Sequence, residues 1–295
     1  MVNPRLFEPR LLRARKRRAL AGFRAAAFLH ARVAGDLAER LEAIPRNFPS
    51  TLVLGGGELF SKAAGERARL SARLGAILEA DIASGAVVVD PERLPFAAAS
   101  FDLVVSPLLL HWVNDLPGAL IQIRSALKPD GLMLASLFGG ETLHELRLAL
   151  IEAELELTGG AGPRVAPFAG LQDVAHLLQR AGFALPAADR DTVTVRYAEP
   201  MRLLADLRAM GETAALAQHS PRSLSRRILT RAFEIYRQRF ADPDGRVRAT
   251  FEIITITGWA PHESQQQPLK PGSARARLAD VLGAREHGAG EKAGS

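Results

Sequence analysis

With 295 residues, 47% of them hydrophobic and 24% charged, the chain has the composition of a soluble globular protein and the length to bury a full-sized core. The absence of cysteine excludes disulfides, thiolate metal ligands and thiol nucleophiles and fits a reducing compartment, and no window approaches about eighteen consecutive apolar residues, which excludes a membrane span. The net charge of +6 is uneven: residues 1–32 carry nine Lys or Arg against Glu8 alone, so the remainder is slightly acidic.

That basic segment lacks serine and runs straight into a helical pattern, which favours a solvated helix or arm over a transit peptide. As an arm docking on an acidic partner surface, residues 1–23 would be removable with little effect on thermal stability. No stacking or phosphate-loop motif accompanies the charge, so nucleic acid is not an expected partner.

Residues 24–43 are expected to form a helix, with Phe28, Val33, Leu37 and Leu41 recurring about every turn. Pro45 and Pro49 stop it, and Thr51–Leu54 reads as a short buried strand entering Gly55-Gly56-Gly57. A helical stretch over 61–74, an apolar run Ala76–Ala80 ending at Asp81, and a strand Val87–Val89 ending at Asp90 follow. Phe101–Ser106 is near-continuous in apolar residues, as a strand buried on both faces should be. Leu116, Leu120, Ile123 and Leu127 share one helical face, with Asn114 or Asp115 placed to cap it and Pro117 in its first turn. Leu132–Phe138 is the next strand. Glu141–Leu157 and Leu171–Ala181 are expected helices ended by Gly159 and Gly182. A strand at Thr192–Tyr197, helices near 200–210 and 221–240, and a strand at Thr250–Thr257 complete the pattern. From Glu263 the chain reads as a disordered tail. Alternating strands and helices predict an α/β protein with a mostly parallel sheet and right-handed crossovers. The predicted organisation is a basic helical extension (1–43), an α/β domain (44–262) and a flexible tail (263–295).

In open parallel sheets, ligands sit at the carboxyl ends of the strands where strand order reverses. The candidates are therefore Gly55, Gly56 and Gly57, then Asp81, Asp90 and Ser106. Glycines allow close backbone approach and positive φ. A carboxylate at Asp81 offers two acceptors to the hydroxyls of a ribose, and Asp90 could accept an adenine amine. An ordinary strand-to-helix turn explains the glycines equally well. His111 and Trp112 follow the Phe101–Ser106 strand, either as a stacking wall with a polar group or as a packed ring with a solvated one. Glu141 reads as a first-turn acid favouring the helix dipole. No His, Asp and Glu cluster has metal-ligand spacing.

The runs Val89-Asp90-Pro91-Glu92-Arg93-Leu94-Pro95-Phe96, Ser100–Ser106 and Leu127-Lys128-Pro129-Asp130-Gly131 resemble the core of class I S-adenosylmethionine (SAM)-dependent methyltransferases. Ile44-Pro45-Arg46-Asn47-Phe48-Pro49, Leu110–Pro117 and Phe138–Arg147 are similar to one family within them. Met210-Gly211-Glu212 and Gly258-Trp259 with His262–Gln265 share that similarity, which spans about residues 5–278. That family is the methyltransferase-fold assembly factor of mitochondrial respiratory complex I, with its bacterial relatives. The resemblance implies a Rossmann-like fold, SAM as cofactor and an arginine of a complex I subunit, modified by hydroxylation, as target. It also implies a site built from the residues just named, with His111, Trp112 and Asn114 on the substrate side. The compartment would be the bacterial cytoplasm, or the mitochondrial matrix in a eukaryote, with peripheral membrane contact allowed. The carrier-protein malonyl O-methyltransferase of biotin synthesis is a more distant resemblance.

Two departures fall on the cofactor pocket. The acid that opens the family's glycine motif is Val53 in this chain, and the third glycine is Leu59. Only eight residues separate Asp81 from Asp90, whereas a parallel crossover takes about a dozen or more. No helix is expected there, and the edge should be an antiparallel hairpin or a displaced loop. Together the changes predict weakened SAM binding, with a dissociation constant above about 100 μM, or a non-catalytic assembly factor that kept only the fold and the partner surface.

Overall fold

A computed structural model describes residues 5–217 and 224–265. The first helices are α1 (Pro9–Ala19), α2 (Phe23–Ala26) and α3 (Phe28–Glu42), followed by β1 (Phe48–Leu54), α4 (Gly57–Gly65) and α5 (Ala68–Ser71). Next come β2 (Leu74–Asp81), β3 (Val87–Val88), β4 (Phe101–Pro107), α6 (Leu116–Ala126) and β5 (Leu127–Phe138). The chain continues through α7 (His144–Thr158), α8 (Leu171–Arg180), β6 (Ala184–Tyr197), α9 (Pro200–Ala209), α10 (Arg226–Phe240) and β7 (Val247–Trp259).

The seven strands form one sheet in the order β3-β2-β1-β4-β5-β7-β6. Pairings from β3 to β5 are parallel, while β7 runs antiparallel to both β5 and β6. Alternate residues of the central strands enter two different cores. Val53, Leu103, Val105 and Leu134 pack with α3, α4 and α10, whereas Leu52, Leu54, Val104 and Met133 pack with α6 and α8. Burial on both faces is why these strands read as unbroken apolar runs. The order reverses between β1 and β4, which leaves a crevice at their carboxyl ends.

Local chemistry sets the helix ends. Asp115, not Asn114, caps α6 by accepting the Gly118 N–H at 2.9 Å, with Pro117 in the first turn. The Ser225 hydroxyl caps α10 through the Ile228 N–H. The expected helix over 24–43 breaks at Ala27 (ψ 27°) into α2 and α3, and the one over 61–74 breaks after Gly65 into α4 and α5. The helix expected from Glu141 starts at His144, because Leu143 has a positive φ of 56°. The tail expected beyond Gln265 lies outside the described residues. A compact unit spans Met1–Pro261, and His262–Gln265 of the second unit makes a turn closed by the Gln265 N–H on the His262 carbonyl.

Two expectations are corrected. No helix lies between Asp81 and Asp90, but the edge is neither antiparallel nor displaced: β3 pairs in parallel with β2, Ala80 with Val87 and Asp81 with Val88. A ladder of two residues needs no full crossover. The turn folds back through Gly85 (φ +91°), and Asp81 Oδ1 accepts the Ala83 N–H at 3.0 Å. The basic segment is helical, but it is not a detached arm. Phe7 and Leu12 are buried, Phe7 bridges to Leu216, and the Glu8 N–H donates to the Ala215 carbonyl. Arg10, Arg13, Arg17 and Arg18 stay on the exposed face.

Candidate functional site

At the end of β1, Gly55 and Gly56 adopt φ of +79° and +59°, the left-handed region that favours glycine. The turn has no room for side chains: a Cβ on Gly55 would lie 2.9 Å from Leu109 Cβ, and one on Gly57 would lie 2.7 Å from Glu79 Cγ. Gly56 is the N-cap of α4 and contributes no capping side chain. The first-turn N–H groups therefore stand at the turn without a side-chain cap, an arrangement that favours anionic ligand groups. The glycines, Glu79 and Asp81 line a cavity of about 510 Å³, closed on its other side by Lys16, His30 and Leu109. Its size is that of a small-molecule or cofactor site.

The structure separates the residues that the sequence grouped together. Gly55, Gly56, Gly57 and Asp81 share this cavity. Asp90 does not: it is exposed, its Oδ1 accepts the Glu92 N–H, and it borders a small crevice beside Phe7 and Asn114. Buried Ile82 and Leu12 also line that crevice, so the shortened edge and α1 fill the ground between the two acids. Ser106 is fully buried, and its hydroxyl donates to the Leu54 carbonyl at 2.9 Å, tying β4 to β1. Asn114 holds the N-terminal segment: its Oδ1 accepts the Phe7 N–H at 2.7 Å, and its Nδ2 donates to Glu92 Oε1 at 3.0 Å.

His111 and Trp112 lie in a 3₁₀ turn after β4, and both are buried. Each donates to one oxygen of Glu212: His111 Nε2 at 3.1 Å and Trp112 Nε1 at 2.9 Å from Oε2. The other oxygen, Oε1, takes Lys16 Nζ at 2.6 Å and His30 Nε2 at 3.1 Å. Four donors from three separate stretches of chain thus converge on one buried carboxylate, which fills its acceptor capacity. Burial alone would raise the Glu212 pKa. The opposing pull of Lys16, His111 and His30 prevails and holds it well below the ordinary carboxylate range. His111 shifts down, driven first by burial and resisted by Glu212. A neutral ring donating from Nε2 leaves Nδ1 to accept the Phe138 N–H at 3.4 Å. Both imidazoles bond Glu212 itself, and among the described residues no three His, Asp or Glu side chains are placed to share a metal ion.

Glu212 and Trp112 also line a second cavity of about 400 Å³, walled by Phe138, Phe168, Leu146 and Phe251. Glu212 thus stands between the two cavities, with Lys16 and His30 facing the first. The Gly139-Gly140-Glu141 run, by contrast, is fastened to β7. A Cβ on Gly139 would lie 2.4 Å from Glu252 Oε2, which accepts the Glu141 N–H at 2.9 Å. Sequence reasoning missed Glu79 and the convergence on Glu212. Glu79 reads as an interior strand residue, and Lys16, His30 and Glu212 are far apart in the chain.

A doubly wound parallel sheet with an antiparallel β7 and a glycine turn at the switch point is the Rossmann-like fold of class I methyltransferases. Residues 61–135 match the methyltransferase domain family. The YcgJ protein of Bacillus subtilis shares the fold, with a TM-score of 0.50 at 15% identity over 78% of this chain and 99% of that one. The mitochondrial arginine-hydroxylase NDUFAF5 of Danio rerio is 41% identical over 86% of this chain and 82% of its own length. A malonyl-[acyl-carrier protein] O-methyltransferase of Halorhodospira halophila is 36% identical over 64% of this chain and 62% of that protein. The chain belongs to the NDUFAF5 arginine-hydroxylase family within the class I SAM-dependent methyltransferases.

The cofactor of this domain is SAM, and the first cavity fits it. The turn leaves space only for glycine, the α4 N-terminus stands beside it, and Asp81 places a carboxylate at the β2 end. Gly55, Gly56, Gly57 and Asp81 would hold it there. When bound, SAM supplies an electrophilic sulfonium methyl group. No helix among the described residues is long and apolar enough to cross a membrane.

Proposed function

We propose that this chain binds SAM in the glycine cavity and modifies an arginine side chain of a protein client, a respiratory complex I subunit, seated in the second cavity. The observation that carries this reading is the placement of the two cavities on either side of Glu212, lined by Lys16 and His30 on one side and by Trp112 and Glu212 on the other. The faces of Trp112, Phe138 and Phe168 suit a guanidinium plane, and the leucines beside them suit its methylene stem. Family membership alongside arginine hydroxylases supports arginine as the target.

A second reading has its own support. Arg15 and Arg208 also line this cavity, and neither is ion-paired among the described residues. Apolar walls with two free guanidinium groups also fit a carboxylate on an acyl chain, the substrate chemistry of the carrier-protein O-methyltransferases.

Incubating the purified protein in air with SAM, a two-electron reductant and either an arginine-bearing client peptide or a malonyl thioester, followed by mass spectrometry, separates the readings. Gain of one oxygen or one methylene unit on arginine supports the first, and a methyl ester supports the second. SAM binding with no product from either substrate would leave the non-catalytic assembly factor standing.

A further inference from the structure

The acid missing at Val53 is present one strand away. In the parallel β1–β2 ladder, Val53 pairs in register with Glu79. Registered neighbours on adjacent strands project to the same face of a sheet, so the carboxylate leaves the sheet on the side where an acid at position 53 would have pointed. Val53 is fully buried among apolar residues, whereas Glu79 is partly buried and lines the cavity beside Gly57. A Cβ on Gly57 would fall 2.7 Å from Glu79 Cγ and 2.8 Å from its Cδ, so the carboxylate lies directly against the glycine turn. Its position is fixed from α4, where the Ser61 hydroxyl donates to Glu79 Oε1 at 2.7 Å. Among the described residues no cation is ion-paired with Glu79, although Lys16 lines the same cavity, because Lys16 is committed to Glu212. A carboxylate held in a ligand cavity with one oxygen bonded and the other unclaimed is complementary to a ligand cation.

We propose that Glu79 is the residue that receives the α-ammonium group of SAM in this chain, in place of the absent acid at Val53. The assignment rests on the SAM reading of the glycine cavity. It explains how β1 can carry an apolar residue at its motif position without leaving the methionine end of the cofactor without a counter-charge. It also separates two roles within one strand, two residues apart on the same sheet face: Glu79 for the amino acid end, Asp81 for the ribose.

The test uses two ligands that share an adenosine moiety and differ in the amino acid end: SAM, and 5′-methylthioadenosine, which has no ammonium. Calorimetry on the full chain and on Glu79→Gln should show SAM weakened about ten- to a hundredfold, the loss expected for one charge-assisted hydrogen bond. 5′-Methylthioadenosine should bind both proteins alike. A purely structural carboxylate, serving only to hold Ser61, would weaken both ligands together, and that result overturns the assignment. So does unchanged SAM affinity in the variant when the parent binds SAM well. A parent chain that binds 5′-methylthioadenosine but discriminates against SAM would also overturn it, while leaving the cavity a nucleoside site. Failure of the parent to bind either ligand would defeat the SAM reading itself and the assignment with it. A melting curve for Glu79→Gln within a few degrees of the parent shows that the comparison is between folded proteins.

Discussion

Lys16 Nζ lies 2.6 Å from Glu212 Oε1, and the two residues are 196 positions apart in the chain. Both side chains are largely removed from water, 13% and 2% exposed. An ion pair in that setting is costly to break on one side, since the remaining charge stays buried without its partner. Glu212→Ala would strand Lys16 and leave the Trp112 indole N–H without its acceptor. The expected loss is about 3–5 kcal/mol, read by denaturant unfolding of the parent and the variant.

The same cluster gives stability a direction with pH. Glu212 and His111 both have folded-state pKa values below their ordinary ones. The unfolded chain therefore binds more protons than the folded chain on acidification, and stability falls as pH falls. The His111 contribution is fully present above its ordinary 6.5 and is lost below it, and the Glu212 contribution is lost below its ordinary 4.5. The groups facing them are Lys16, His30 and the Trp112 indole. Unfolding free energy measured from pH 8 down to about pH 2 should decline in two stages, and Glu212→Gln should flatten the lower one.

A third expectation reverses the one drawn from charge alone. Deleting residues 1–23 removes Phe7 and Leu12, 2% and 4% exposed, together with Lys16. Each buried apolar side chain is worth about 1.5–3 kcal/mol, and each kcal/mol moves the midpoint of a domain this size by about 2–4 °C. The melting temperature should drop on the order of 10 °C or more. A near-unchanged midpoint would mean that α1 adds little to the fold.

Much of this architecture is legible in the sequence because its signals are local. Buried strands such as Phe101–Pro107 announce themselves as apolar runs, and Asp115 and Pro117 mark where α6 starts. The Asp81–Asp90 edge was half legible. Its length excluded a helix, but nothing in Ile82–Ala86 says that two residues would pair in parallel. What stayed hidden depends on which distant residues meet. The basic segment reads as solvated because six of the nine residues from Arg10 to Arg18 are Arg or Lys, yet Phe7, Leu12 and Lys16 seat it against distant parts of the chain. Glu79 is invisible as a ligand group until the β1–β2 register places it beside Val53. Asp90 and Ser106 looked like cofactor residues from strand ends alone, without knowledge that α1 and Ile82 fill one site and that the Leu54 carbonyl claims the other hydroxyl.

The contrast between Asp81 and Asp90 gives the last prediction. Asp81 shares the cavity with the glycines, and its Oδ1 already accepts the Ala83 N–H. An asparagine there can keep that bond through its carbonyl oxygen, but its NH₂ cannot accept a second hydroxyl. Asp81→Asn should therefore weaken SAM and 5′-methylthioadenosine alike, about tenfold or more, because both carry the ribose. Asp90 sits outside the cavity behind Ile82 and Leu12, so Asp90→Asn should leave both affinities within about twofold, a difference of roughly 0.4 kcal/mol. Calorimetry on the two variants against the two ligands checks all four values. A large loss of SAM binding in Asp90→Asn would mean that adenine reaches past Ile82, and that the edge at β3 opens when the cofactor binds.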